Sequence, residues 1–219
     1  MKEIYPGVYL TEGDRLATVN LAPGRRVYGE RLIADGEREL REWNPARSKL
    51  SAALLKGLKT LPIERKSSVL YLGAATGTTA SHVSDIAAEG RVFSVESSVT
   101  PMSKLIEVCR DRENMIPILA DANRPEVYAP LLEEVDVIYQ DIAQRNQAEI
   151  LLKNSDLYLK EGGHILLAVK SKSIDSTRKA GSVISDEVAK LKDLFRILEV
   201  VDLEPYEKDH AMIVAVKAP

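Results

Sequence analysis

From residue 62 onward the chain alternates short apolar runs with segments of helical spacing, and few folds accept that pattern. The apolar runs are Ser68–Gly73, Arg91–Glu96, Ile116–Ala120, Val135–Tyr139 and His164–Val169. Between and after them, Thr79–Ala88, Met102–Arg112, Gln147–Tyr158 and Val183–Leu194 read as helices. Such runs suit strands buried on both faces, and helices between them imply a parallel sheet covered on both sides. Two last runs, Ile197–Leu203 and Ala211–Lys217, are joined by Glu204–His210 with no helix between, so they are expected to pair antiparallel at the sheet edge. The expected fold is α/β, with a Rossmann-like, mostly parallel sheet and an antiparallel last strand.

The first forty or so residues differ. The β-rich runs IYPGVYL, LATVNL and RRVYGERLI are separated by turn signals at Glu12-Gly13-Asp14, Pro23-Gly24 and Asp35-Gly36. They read as a small antiparallel β-unit, marginal alone and expected to pack on the rest of the chain or on a partner. From Pro45 the spacing becomes helical in RSKLSAALLKGLKTL, with Leu50, Leu54, Leu58 and Leu61 roughly in line. The division is therefore a small N-terminal β-domain at 1–44 and a Rossmann-like domain at 45–219.

Composition narrows the function classes. With 219 residues, 45% hydrophobic and 29% charged, the chain suits one domain plus an appendage. A single cysteine, Cys109, leaves no intramolecular disulfide framework and no thiolate cluster for zinc. A reducing, cytoplasmic setting is expected. The opening MKEIYPGVYLTEGD has no apolar core of signal length, and no apolar run reaches the roughly 18–20 residues that span a bilayer. No membrane partner is expected. The net charge of −3 announces no global field for nucleic acid, so any RNA contact needs local charge or another subunit.

In VLYLGAATGTTASHVSD a strand ends at Leu72, a small-residue turn comes next and a helix begins near Thr78. Backbone N–H groups and a helix N-terminus can approach a ligand closely there. The dinucleotide pattern G-x-G-x-x-G is not met, because Gly73 and Gly77 flank Ala75, so the turn alone is equally compatible with no ligand. Glu96 ends the next apolar run roughly 20 residues on, where a carboxylate can accept hydrogen bonds from ribose hydroxyls. Asp121 and Asp141 come after the third and fourth runs. Three acids at the C-terminal ends of consecutive strands mark the ligand edge of an open α/β sheet, although any one alone is as readily a helix cap.

The segments WNPARSKLSAALLKG, VLYLGAATGTTASHVSD, ILADAN, VDVIYQDIAQRNQAEIL, AVKSKSID and EPYEKDHAMIV together resemble the fibrillarin family of RNA 2′-O-methyltransferases, over essentially the whole chain. With no glycine-arginine-rich tail at the N-terminus, the likeness is to the archaeal form. The resemblance implies S-adenosyl-L-methionine as cofactor, in a turn built from Gly73, Ala75 and Gly77. Thr78 and Thr79 match the family's pair beside the methionine moiety. Glu96 and Ser97 match the ribose position, Asp121 and Ala122 the adenine position, and Asp141 with Gln144 the region near the sulfonium. Ala75 departs from the glycine of the generic methyltransferase loop. The family's catalytic constellation is matched by Lys49, Asp141, Lys170 and His210. Implied partners are a Nop-domain scaffold protein, a kink-turn-binding ribosomal-type protein, a box C/D guide RNA and target rRNA or tRNA.

Methyl transfer to a 2′-hydroxyl requires in-line positioning of the oxygen and departure of its proton. An ordinary lysine is protonated near neutrality. The sequence therefore leaves open whether Lys170 removes the proton or orients the hydroxyl and stabilises developing charge. Lys172 is its rival. His82 and His164 read as packed residues, no two histidines have metal-ligand spacing, and no metal is expected. Arg25, Arg26, Arg31, Arg47 and Lys49 are candidate phosphate contacts. Two competing readings are a nicotinamide-dependent oxidoreductase, weakened by the absent glycine pattern, and a non-catalytic scaffold of the same fold.

Overall fold

In the computed structural model, which describes residues 1–218, two sheets share one chain. The first is antiparallel, with β1 (Lys2–Tyr5), β2 (Val8–Thr11), β3 (Arg15–Val19), β4 (Leu32–Asp35) and β5 (Arg38–Trp43) in the order β1-β2-β3-β5-β4. The run RRVYGERLI is not one strand. Arg25–Gly29 forms an irregular loop and only Leu32 onward is extended. The loop is held because the Glu30 carboxylate accepts the backbone N–H groups of Val27 and Tyr28, which draws the chain out of strand geometry.

Next in the chain is helix α1 (Lys49–Leu55). It is shorter than the leucine spacing predicts. Gly57 takes φ of +91°, a left-handed conformation that ends a helix, and Leu58 and Leu61 continue the apolar series beyond it. The second sheet contains β6 (Ser68–Leu72), β7 (Arg91–Glu96), β8 (Met115–Leu119), β9 (Val135–Gln140), β10 (Leu159–Lys170), β11 (Phe195–Asp202) and β12 (His210–Lys217). Its order is β11-β12-β10-β9-β6-β7-β8, and β12 runs antiparallel to both neighbours while the others pair in parallel. Helices α2 (Thr78–Ile86), α3 (Val99–Arg110), α4 (Gln147–Tyr158), α5 (Ser171–Ile174) and α6 (Ala180–Leu191) complete the chain, with a 3₁₀ segment at Pro125–Leu131. Among the described residues no helix is long and apolar enough to cross a membrane.

The continuous apolarity of the strands has a direct structural cause. Alternate residues of β6 enter different cores, Val69 and Tyr71 on one face, Leu70 and Leu72 on the other. One core gathers α1, α2 and the antiparallel sheet through Val8, Leu16 and Trp43, and the other gathers α4 and α6. The junction of the two sheets is also polar. Arg41 of β5 bridges Glu30 and Asp85, and Arg112 also reaches Asp85, with all four side chains almost wholly buried. The sheet order reverses between β6 and β9, which opens a crevice at the strands' C-terminal ends, the usual ligand position in such sheets.

Candidate active site

Register places the exits of β6 and β9 side by side. Leu72 lies opposite Gln140, and the Asp141 N–H donates to the Leu72 carbonyl at 2.9 Å. Gly73 is then confined, since a Cβ there would stand 2.3 Å from the Asp141 carbonyl oxygen. Only glycine lets the two strands part this closely, and its φ of +84° starts the turn. Ala75 sits at φ +47°, uncommon for a residue with a Cβ. Its N–H donates to Glu96 Oε2 at 2.9 Å, while the Ser98 N–H donates to Oε1 at 2.7 Å. The carboxylate is thus held by one backbone donor on each oxygen, and each oxygen keeps further acceptor capacity.

A cleft of about 240 Å³ lies over these strand ends. Gly73, Ala75, Glu96, Ser97, Asp121, Ala122, Asp141 and Gln144 line it, with Val95, Ala120, Ile142 and Ala143. Gly77, Thr78 and Thr79 are not among the lining residues. Gly77 packs under α3, where a Cβ would come within 3.0 Å of Leu105, and the Thr79 hydroxyl donates to Ser48 Oγ at 3.0 Å. Thr79 therefore ties α2 to the cap of α1, because Ser48 is that helix's N-cap.

Lys49, the first residue of α1, reaches across 92 positions of sequence to place its Nζ 2.9 Å from Asp141 Oδ2. Beneath this edge the rings of Tyr71 and Tyr139 stack with centroids 4.5 Å apart. Burial, and secondarily Asp141 for Tyr71 and the neighbouring phenol for Tyr139, pushes both phenols well above their ordinary range, so they stay protonated. Lys170 ends β10 and His210 begins β12, and the two are cross-strand partners. His210 is nearly buried, with Nδ1 2.7 Å from the Lys208 carbonyl. A carbonyl only accepts, so Nδ1 carries a proton there. Of the four expected catalytic residues, the structure joins Lys49 and Asp141 directly and brings Lys170 and His210 together at the ends of adjacent strands. Lys172 turns away, donating to the carbonyls of Ser176 and Arg178.

His82 is fully buried, stacked on Trp43 at 4.8 Å and bonded to Thr18 and Tyr28. Three amides that the residue pattern did not single out frame the cleft. Asn123 donates to Gln144 Oε1 at 3.0 Å and accepts from Asn146 at 2.7 Å, linking the loops after β8 and β9. Gln147, wholly buried, donates to the Gln144 carbonyl at 2.8 Å and binds the backbone of Lys170. Uncharged amides have no periodicity to betray them; the one available sign was a cluster of Gln and Asn directly after Asp141.

The chain matches the fibrillarin family model over residues 1–219. It is 48% identical over 221 residues to the fibrillarin-like rRNA/tRNA 2′-O-methyltransferase of Methanocaldococcus jannaschii, covering 99% of this chain and 96% of that protein. Among solved structures it is similar to Aeropyrum pernix fibrillarin in complex with natively bound S-adenosyl-L-methionine. The TM-score is 0.88 and the identity 49%, over 95% of this chain and 93% of that one. It is also similar to a chain of a fibrillarin/Nop5p complex, with TM-score 0.91 and 44% identity over 99% of this chain and 100% of the other.

Proposed function

The chain belongs to the fibrillarin family, and from that premise we propose that it methylates ribose 2′-hydroxyls of rRNA and tRNA. It does so as the catalytic subunit of a box C/D guide RNA particle in a reducing, cytoplasmic setting. Residues 45–219 act as the methyltransferase domain and 1–44 as its appended β-domain. The observation that carries the reading is the 2.9 Å Lys49–Asp141 ion pair at the rim of a cleft whose Glu96 carboxylate is anchored by backbone donors.

S-adenosyl-L-methionine fits the donors and acceptors present. The turn from Gly73 lines the cleft with main chain and small side chains, and Glu96 offers acceptors for a pair of ribose hydroxyls. Asp121 and Ala122 suit an adenine edge, and Asp141 with Gln144 closes the remaining side. When bound, the cofactor supplies an electrophilic methyl group on a positively charged sulfur. The chain's own residues then hold the acceptor. Asp141 fixes Lys49, so the Lys49 ammonium stands at a constant place beside the reacting hydroxyl. Lys170, whose Nζ makes no ion pair or hydrogen bond among the described residues, is assigned to the 2′-oxygen. There it orients the hydroxyl and stabilises the negative charge that develops on the oxygen as its proton is released to solvent water. His210 is a positioning residue beside Lys170, its Nδ1 occupied by the Lys208 carbonyl.

A net charge of −3 gives the chain little electrostatic capture of RNA, so target selection falls to the other subunits. These are a Nop-domain scaffold, as the related fibrillarin/Nop5p complex suggests, a kink-turn-binding protein and the guide RNA. The related methyltransferases give no support to a nicotinamide enzyme or an inert scaffold. The test is reconstitution with the two proteins and a guide RNA, followed by mapping of 2′-O-methyl groups. Methylation opposite the guide, absent when guide or cofactor is omitted, is the expected result; guide-independent methylation by the purified chain would overturn the guide-directed reading.

A further inference from the structure

A second and larger cleft, of about 510 Å³, adjoins the cofactor turn at Thr76. Its walls carry Arg25 and Arg26 from the loop before β4, Arg47 from the segment before α1, and Lys104 from α3, with Thr76 of the cofactor turn also lining it. We propose that this cleft seats the sugar–phosphate backbone of the target RNA strand flanking the methylated nucleotide. The proposal rests on the RNA methyltransferase reading and adds the surface that aligns the substrate.

Charge favours a phosphate ligand. In a chain of net charge −3, four surface cations meet here against two carboxylates, Glu107 and Asp111. Asp111 pairs with Arg25 at 3.4 Å, but both side chains are largely exposed, and such a pair gives way readily to a phosphate. Arg112 also lines the cleft, yet it is buried and committed to Asp85 and Asn20, so it forms the floor and captures nothing. Arg26, Arg47 and Lys104 have no ion-pair partner among the described residues.

The wall that bears Arg25 and Arg26 is also rigid. The Arg25 carbonyl accepts from Asn20 Nδ2 at 3.2 Å, and the N–H groups of Val27 and Tyr28 are held by Glu30. The Tyr28 hydroxyl is fixed between His82 and the Glu42 carbonyl at 2.9 Å each. The backbone that carries the two guanidiniums is therefore set in place before any ligand arrives, which lowers the part of the ordering cost of binding that falls on the main chain.

The cleft is tied to the reacting centre through the chain itself. Arg47, Ser48 and Lys49 are consecutive. Ser48 accepts from Thr79 at the start of α2, and Lys49 reaches Asp141. The Cα atoms of Arg47 and Lys49 lie at most about 7 Å apart. A strand whose 2′-hydroxyl meets Lys49 and Asp141 thus brings a neighbouring phosphate toward Arg47. Arg31, grouped with these arginines by sequence, lines smaller depressions on the other side of Arg47, beside Glu42, and is not part of the cleft.

The test uses the reconstituted particle carrying Arg26→Gln, Arg47→Gln and Lys104→Gln together. The matched control is Arg65→Gln, Lys66→Gln and Arg91→Gln, at the opposite end of the sheet. The cleft variant is expected to raise KM for target RNA on the order of tenfold and to flatten the salt dependence of log KM by roughly two. S-adenosyl-L-methionine affinity and particle assembly should be unchanged, and the control should match wild type. Independently, target RNA with 4-thiouridine beside the acceptor nucleotide should cross-link to peptides containing residues 22–28 or Lys104 in the wild-type particle. An unchanged KM and salt slope, or weakened scaffold binding with KM unaffected, would overturn the proposal, the latter by making the cleft a protein-binding surface. If the wild-type particle fails to methylate, the methyltransferase reading is wrong, and the cross-link alone decides the cleft.

Discussion

The buried carboxamide of Gln147 brackets the backbone of Lys170, accepting its N–H at 3.0 Å and donating to its carbonyl at 3.2 Å. The same amide nitrogen donates to the Gln144 carbonyl at 2.8 Å, and Gln140 holds the Gln147 carbonyl at 2.7 Å. One side chain at the start of α4 therefore sets both the strand end that carries the amine and the loop that closes the cofactor cleft.

Gln147→Leu keeps the volume but leaves a backbone donor and two carbonyls without their partner, at about 1–3 kcal/mol each if they stay dry. Displacement of Lys170 by even an ångström is expected to slow methylation by about 10²-fold. Single-turnover rates and cofactor calorimetry check this. A role confined to stability would lower the unfolding midpoint while leaving both the rate and the cofactor affinity of the folded protein at wild-type values.

Lys170→Met keeps most of the side-chain length and removes the amine. Methylation in the reconstituted particle should fall about 10²–10⁴-fold, with S-adenosyl-L-methionine affinity largely kept. Lys172→Met is the control, because its amine is engaged with the Ser176 and Arg178 carbonyls. Equal losses in the two variants would mean that local charge, not geometry, matters.

The parallel sheet was legible because both faces are covered, which makes every residue of a run such as VLYL apolar. The terminal hairpin was legible because seven residues cannot hold a crossover. The acids at the strand ends were legible because sheet topology brings strand ends together. Other features were not. Gly57 cuts α1 short through backbone conformation, which a leucine count does not register. The bond from Thr79 to Ser48 joins partners 31 residues apart, which no local pattern signals. Lys104 is one of three charges in α3 and nothing in its local sequence sets it apart; only the fold brings it to the same cleft as Arg26 and Arg47.

Glu96→Ala removes a carboxylate that holds Ala75 in its left-handed conformation and presents acceptors to the cleft. Charge-assisted bonds of this kind contribute about 1.5–3 kcal/mol, so cofactor affinity should drop roughly 10- to 150-fold. Calorimetry measures the affinity and circular dichroism checks that the fold persists. Unchanged affinity would assign the carboxylate to the turn alone.

Arg41→Met tests the junction between the sheets. Arg41 is wholly buried and bonds Glu30, Asp85 and Ser81, so its loss leaves two dry carboxylates short of a partner. Removing one member of a buried ionic group typically costs about 3–5 kcal/mol. Exposed Arg65→Ala, which loses only a surface pair with Glu89, should cost about 0–1 kcal/mol. Urea denaturation of both variants gives the comparison; a similar small loss in each would mean that the network relaxes or hydrates without Arg41.

His82 makes stability depend on pH in a definite direction. Burial, then the guanidiniums of Arg41 and Arg112, holds the imidazole well below its ordinary value of 6.5. In the folded chain it stays neutral while the unfolded chain takes up a proton below about pH 6.5, so the unfolded state binds more protons and stability falls as pH falls through that value. The slope from one such group is at most about 1.4 kcal/mol per pH unit. His164 is lowered as well, by burial and Arg196, and adds in the same sense. The carboxylates whose values are lowered, Glu30 and Asp136 among them, titrate below their ordinary values of 4.5 for glutamate and 3.8 for aspartate, so between pH 6.5 and 5 the histidines dominate. His82→Phe preserves an aromatic ring against Trp43 but has no proton to gain. It should be less stable than the parent at neutral pH, because the Thr18 and Tyr28 hydroxyls each lose one buried bond while keeping those to Asp85 and the Glu42 carbonyl, and should show a flatter decline on acidification. Denaturation midpoints at half-unit steps from pH 7.5 to 5 measure both effects, and parallel curves for parent and variant would mean that His82 is protonated equally in the folded and unfolded states.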